Sequence, residues 1–300
     1  MGRASISKSA GGGRILISDG AWGTFLQKMG LKIGDCPEAW NLSNPDAVMS
    51  VAASYIEAGA DMVETNTFGG NRFRLALCGL DNQIFEINRR AAALSRKAAG
   101  ENNWVIASVG PTGTSPMKDK AARKEIYNAF QEQVRALEEG GADAVCIETM
   151  SILDEALLAV QAAKENTGLE IICTFTFEKG LNGQYKTIHS PREVAEKLVT
   201  AGADIIGANC GNGIEEMAGI IREMRQAAQN RPLIAQANAG LPEIAGDQIL
   251  YPETPDFMAL HIPSLIEAGV NIIGGCCGTT PNHIRAMKKA VEEFRMKHTL

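Results

Sequence analysis

Aromatic residues are scarce in this chain: three Trp, four Tyr and nine Phe make up 5% of 300 residues. Stacking platforms for a sugar are therefore few, and the carboxylates Glu64 and Glu148 make a poor glycosidase pair despite their residue type. Only four histidines occur. None is spaced as a zinc pair, and His189, His261 and His283 read as surface or capping residues. Basic excess is absent too. A net charge of −6 and a pI near 5.4 argue against nucleic acid or an anionic membrane as the main partner. No apolar run approaches the roughly 18 residues of a membrane span. The opening stretch 1–13 is Gly/Ser-rich, lacks the apolar core of a signal peptide and reads as a flexible leader. Seven cysteines are scattered rather than arrayed as a small disulfide frame, which fits reduced thiols in a cytoplasmic protein.

What the chain does have is alternation. Eight apolar, strand-like runs occur at Arg14–Ser18, Asp61–Asn66, Trp104–Val109, Ala142–Glu148, Glu170–Thr176, Asp204–Ala208, Pro232–Gln236 and Asn271–Gly274. Between them lie segments of helical spacing: Pro45–Glu57, Asp81–Ala99, Ala121–Glu139, Ile152–Asn166, Pro191–Thr200, Glu215–Ala228, Asp256–Glu267 and Pro281–Phe294. Strands alternating with helices of this length imply βαβ units around a parallel sheet. The helix-to-strand junctions also repeat: Ala58-Gly59-Ala60-Asp61, Gly140-Gly141-Ala142-Asp143, Ala201-Gly202-Ala203-Asp204 and Ala268-Gly269-Val270-Asn271. Each supplies a glycine for a left-handed helix end directly before a strand. Asn44-Pro45, Ser190-Pro191 and Thr280-Pro281 read as capped helix starts with Pro at the first helical position. No linker interrupts the pattern. It predicts one domain over 14–300, a single (β/α)8 TIM barrel, with a doubly wound open sheet as the competing architecture.

In such a barrel the residues just after each strand face the active site. That rule collects Asp19-Gly20, Glu64 to Thr67, Gly110-Pro111, Glu148-Thr149, Phe175 to Phe177, Asn209-Cys210, Asn238 and Cys276-Cys277. Cys210 after the sixth strand and the Cys276-Cys277 pair after the eighth converge in a closed barrel. Three thiolates can hold a metal and leave one coordination position open, the mark that separates a catalytic zinc site from a structural one. Cys146 and Cys173 lie inside strands and read as core, and Cys36 and Cys78 carry no assigned role. A vicinal disulfide at Cys276-Cys277 would be strained. The glycine-rich turn before Thr280-Pro281 also resembles a barrel phosphate site, an alternative left open by the residues alone.

Taken in order, Asp19-Gly20-Ala21-Trp22-Gly23-Thr24, Glu64-Thr65-Asn66-Thr67-Phe68-Gly69, Gly110-Pro111, Asn209-Cys210-Gly211, Ala237-Asn238-Ala239-Gly240-Leu241-Pro242 and Gly274 to Pro281 closely resemble the homocysteine S-methyltransferase family. Within it, they are most similar to the homocysteine-binding barrel of its cobalamin-dependent members. The resemblance covers about residues 14 to 296. It implies a (β/α)8 barrel and one Zn²⁺ held by Cys210, Cys276 and Cys277, with homocysteine binding as a fourth thiolate and leaving as methionine. It further implies that Glu148 receives the substrate ammonium group and that Asp19, with the Gly20 and Ala21 N–H groups, helps hold the amino-acid end. Asn238 would occupy the fourth position when substrate is absent. Trp22, bulkier than the family pattern, and the loop Glu178 to Tyr185 depart from it.

The donor is not written in these residues. A methylated corrinoid protein, carrying methylcobalamin and docking over the barrel mouth, is one expectation; S-methylmethionine, S-adenosylmethionine or a betaine are others. Two further readings are a corrinoid-linked demethylase subunit acting on another methylated substrate and a non-catalytic zinc-binding fragment of a larger synthase.

Overall fold

The computed structural model describes residues 4–115, 119–178, 187–245 and 248–298. Eight parallel strands form its centre: β1 (Leu16–Ile17), β2 (Met62–Glu64), β3 (Trp104–Val109), β4 (Ala144–Met150), β5 (Glu170–Phe175), β6 (Ile205–Cys210), β7 (Leu233–Ala237) and β10 (Ile272–Gly275). A small antiparallel hairpin, β8 (Glu243–Ala245) with β9 (Gln248–Leu250), is inserted after β7. The ladder runs β1-β10-β7-β6-β5-β4-β3-β2. Between β1 and β2 the sheet is joined by side chains as well as backbone, so the circle is nearly closed. The protein is a single TIM barrel, as the alternation predicts, and not an open sheet.

The repeated junctions explain how the strands are aligned. Gly59, Gly141, Gly202 and Gly269 all have φ between +93° and +101°, the left-handed turn that ends each helix. The next polar residue but one then ties its strand to the preceding one. Asp61 donates its N–H to Ile17 O (2.7 Å), and its carboxylate accepts the Ile17 N–H (2.8 Å). Asp143 makes the same pair with Val105 (2.9 and 2.7 Å), Asp204 with Ile171 (2.8 and 2.9 Å) and Asn271 with Leu233 (2.8 and 2.9 Å). Four two-strand units thus begin in one register, and the Asp61 clamp bridges the β1–β2 seam.

Strand alternation divides the interior into layers. Leu16, Met62, Trp104, Ile106, Ala144, Cys146, Ile172, Ile205, Ile234 and Ile272 form an apolar cluster separate from the larger core between sheet and helices. Two residues further on, the same face carries a buried polar layer: Ser18, Glu64, Ser108, Glu148, Thr174 and Gln236, with Gly274, joined by Asn209 four residues beyond Ile205. Gly207 interrupts β6 because a Cβ there would collide with the Ile234 carbonyl oxygen.

Within the stretch 1–13 read as a leader, residues Ile6–Gly11 are a helix, N-capped by Ser5, whose Ile6 and Ala10 are fully buried in the interior apolar cluster. The Glu170 carboxylate at the start of β5 accepts the Ile6 and Ser7 N–H groups at 2.5 and 3.0 Å, as anions do at helix N-termini. Trp104 Nε1 donates to Ala4 O (3.1 Å). The segment therefore plugs the barrel end opposite the strand C-termini.

Most other helices fall where spacing placed them, among them Pro45–Glu57, Ile84–Ala99, Lys120–Glu139 and Leu153–Asn166. The helix expected over 256–267 is split into Pro255–Leu260 and Ile262–Glu267, because Pro263 has no N–H to continue the first. Ser190 makes a full capping box with Glu193, whereas Asn44 makes no side-chain cap.

Candidate metal centre

The three cysteines meet at the C-terminal mouth. Cys210 ends β6 with φ +57°, a left-handed conformation rare for a side chain of this kind, and Gly211 continues it at φ +75°. This double turn swings the Cys210 sulfur from the strand toward β10, just beyond which Cys276 and Cys277 lie. Cys210 Sγ stands 2.9 Å from Cys276 Sγ, and all three sulfurs lie within 4.8 Å of one another. Ligands at 2.3 Å around a tetrahedral ion would stand about 3.8 Å apart, so the three sulfurs could hold one soft metal once the Cys210–Cys276 pair opens by about 1 Å. Among the described residues this is the one cluster of three or more such donors. No disulfide is formed, at Cys276-Cys277 or elsewhere.

Without a metal the cluster shares its charge. Hydrogen bonds from the Cys210 and Cys276 thiols, and a further one from the Tyr251 hydroxyl, draw the Cys277 thiol down to about 3. The bonds that Cys276 makes to Cys210 and Cys277, with burial, hold its own thiol well above the usual range. Tyr251 follows the β8–β9 hairpin and packs on Gly278, where a Cβ would collide with its ring.

Asn209 links the sulfurs to the polar layer. Its Nδ2 lies 3.7 Å from Cys210 Sγ and 4.0 Å from Cys276 Sγ, and donates to Thr149 Oγ1 (2.7 Å) and Glu148 Oε2 (3.3 Å). Its Oδ1 accepts from Thr149 N (2.9 Å) and Thr174 Oγ1 (2.9 Å). Thr149, itself at φ +57°, places Oγ1 3.7 Å from Cys210 Sγ. Glu148 also accepts from Ser108 Oγ. Burial is the main cause that lifts the Glu148 carboxyl to about 7, reinforced by the charges of Asp19 and Cys277. Burial, then the charges of Glu148 and Asp19, raises Glu64 well above its ordinary value; Gln236 Nε2 donates to its Oε1 at 2.9 Å.

Asp19 is fully buried beneath the mouth. It accepts from Trp22 Nε1 (2.9 Å), Glu64 N (2.8 Å) and Ser18 Oγ (3.3 Å), and burial lifts it to about 7. Trp22 thus anchors Asp19, which gives its bulk a purpose. Ala21 N–H donates to Thr279 Oγ1 (3.1 Å), so any role in gripping substrate requires that contact to be exchanged. Gly20 packs against Thr279 and Tyr55. Asn238 Nδ2 donates to Gly211 O (3.0 Å), while its buried Oδ1 has no partner among the described residues. His283 is a buried cap rather than a surface residue: Nδ1 meets Thr280 and Nε2 meets Glu253 O (3.0 Å). Cys146 and Cys173 are core, as read from the sequence. The departing loop's residues 179–185 lie outside the described residues.

Sequence reasoning collected Thr149 and Asn209 at the rim but missed Ser108, Gln236 and Tyr251 as parts of this neighbourhood. Strand period two, counted forward from the interior residues Ile106 and Ile234, points to Ser108 and Gln236. Nothing local marks Tyr251.

A TIM barrel thus carries three converging cysteines at its mouth, over a floor of buried carboxylates. The comparisons make the assignment specific. A family model described as homocysteine S-methyltransferase matches residues 16–291, and the chain belongs to that family. It is 33% identical over 297 residues to methionine synthase of Mycobacterium leprae, covering 93% of this chain and 24% of that protein. It is likewise 33% identical over 301 residues to methionine synthase of Mycobacterium tuberculosis (94% and 25%). The chain thus spans about a quarter of the length of these curated relatives. Among solved structures, the homocysteine methyltransferase MmuM of Escherichia coli in metallated form superposes with TM-score 0.73 at 22% identity, covering 93% of this chain and 96% of that one. A methyltransferase from Methanosarcina mazei superposes with TM-score 0.63 at 12% identity (96% and 97%). These two share the fold. No described helix is long and apolar enough to cross a membrane.

Proposed function

We propose that this chain moves a methyl group to the thiolate of homocysteine, giving methionine, at a Zn²⁺ held by Cys210, Cys276 and Cys277. The observation that carries the reading is the convergence of three sulfurs within 4.8 Å above a layer of buried carboxylates. The donor set fits zinc: soft thiolates, three in number, with no fourth protein sulfur to close the site. Zinc bound there keeps a fourth, substrate sulfur deprotonated and nucleophilic at neutral pH.

The chain's residues do the rest. Asn209 and Thr149 orient Cys210 by contacts to its sulfur. Glu148 receives the substrate ammonium, and that cation stabilises the charged carboxylate which burial disfavours. Asp19, with Gly20 and Ala21, shapes the wall against which the amino-acid end rests, and Asn238, whose buried Oδ1 lacks a partner among the described residues, would take the fourth position when substrate is absent. In the transfer, the homocysteine S–CH3 bond forms as the donor–CH3 bond breaks, and the donor keeps the bonding pair. The product is a neutral thioether, a weaker ligand than thiolate, so methionine leaves.

We take the donor to be a methyl-corrinoid protein docking over the mouth, with methylcobalamin as the carried cofactor. Exposed apolar side chains on the inserted hairpin and its approach, Leu241, Ile244, Ile249 and Leu250, favour a protein donor over a small one, since they offer a contact surface at the rim. The chain is taken to work in the cytoplasm, where its thiols stay reduced. A donor screen tests the reading: zinc-loaded protein and homocysteine, with methylcobalamin, S-methylmethionine, S-adenosylmethionine or glycine betaine. Methionine should form with methylcobalamin. No methionine from any donor, with zinc and homocysteine both bound, would overturn it.

A further inference from the structure

We propose that Gln236 positions the thiol substrate, its Oε1 accepting a hydrogen bond from the substrate ammonium group. The inference rests on the homocysteine reading and adds a recognition residue to it. Gln236 faces the barrel interior on β7, in register with Asn209 on β6 and Gly274 on β10. Those neighbours lie one and two residues before Cys210 and Cys276, so Gln236 sits beneath the sulfurs between the two strands that present them. Its Nε2 is committed to Glu64 Oε1 at 2.9 Å. Its Oε1 is buried, in a residue only 2% exposed, and meets no donor among the described residues.

A buried acceptor without a donor is costly and rare, and it marks a place where a ligand or water supplies the missing hydrogen. Two features favour a cationic donor. Glu64, Glu148 and Asp19 gather around the same interior layer. Among the described residues no Lys or Arg is buried to balance them. An ammonium placed at Oε1 lies beside Glu64, so its charge is met without a direct salt bridge to every acid. A neutral donor would satisfy the amide but would not stabilise the charged carboxylate forms that burial disfavours.

The test compares two thiols on the metal-loaded protein: homocysteine and 4-mercaptobutyrate, which keeps thiol and carboxylate but lacks the ammonium. Affinity is read by calorimetry and by the thiolate-to-metal charge-transfer band after Co²⁺ substitution. Q236M should weaken homocysteine roughly 10- to 100-fold, the loss of one charged hydrogen bond, and change 4-mercaptobutyrate less than about twofold. Q236E keeps an acceptor at this position, should retain homocysteine affinity and guards against a folding defect in Q236M. Equal losses for both thiols, or no loss for either, would overturn the proposal: the first makes Gln236 structural, the second leaves its acceptor to water. If neither thiol perturbs the wild-type metal spectrum, the homocysteine reading falls and this inference with it.

Discussion

Glu148→Gln offers a quantitative test of the carboxylate floor. The Glu148 carboxyl is lifted from 4.5 to about 7, first by burial and then by the charges of Asp19 and Cys277. In the unfolded chain the same group titrates near its ordinary value. Between pH 4.5 and 7 the native state therefore holds a proton that the unfolded state has released. Stability from this group is complete below pH 4.5 and is lost as pH rises through 7. That rise is worth about 3 kcal/mol, most of which is lost between pH 5 and pH 8. Glutamine fills the same volume and cannot titrate. Urea unfolding of the metal-free, reduced protein at pH 5, 6, 7 and 8 should show the wild type losing about 2–3 kcal/mol more than E148Q across that range. Asp19, raised to about 7 by burial, keeps some slope in the variant. Parallel pH profiles for the two proteins would refute the reasoning, because they would mean that Glu148 is ionised in the folded floor at no cost.

Two further outcomes are expected. Cys210→Ala should cut bound zinc from one ion per chain to a small fraction by elemental analysis, with an unchanged far-ultraviolet dichroism spectrum, since this side chain lies at the mouth and not in the core. Full zinc retention would remove Cys210 from the ligand set. Ile6→Ala should destabilise the protein by about 2–4 kcal/mol in urea, the cost of emptying a fully buried core position, and a loss under about 0.5 kcal/mol would show that the N-terminal helix does not plug the barrel.

Much of the barrel was legible because its signals are local. Each strand is a short apolar run, and four of the junctions repeat a glycine two residues before Asp or Asn, so the sequence shows both the elements and the clamps that align them. The split at Pro263 was legible too and was outweighed by the apolar spacing on either side of it. The N-terminal helix was not. In Ile6–Gly11 one isoleucine stands among small and polar residues, and its stability comes from Glu170, 164 positions away, and from an apolar cavity assembled by strands yet to come. The site divides in the same way. Cys210, Cys276 and Cys277 announce themselves by type and by glycine wrapping. Asn209, Ser108 and Gln236 are ordinary polar residues until closure of the barrel turns them onto one floor. Tyr251 reaches Cys277 only because a hairpin folds back over Gly278, which no periodicity encodes.

The central claim is that three protein thiolates hold zinc and leave the fourth position to the substrate sulfur. Zinc K-edge X-ray absorption, recorded on the zinc-loaded protein before and after homocysteine is added, tests it most directly. The account predicts three sulfurs and one lighter atom at the start, becoming four sulfurs at about 2.3 Å with homocysteine. A shell that begins at four sulfurs, or stays at three when homocysteine is bound, would contradict it.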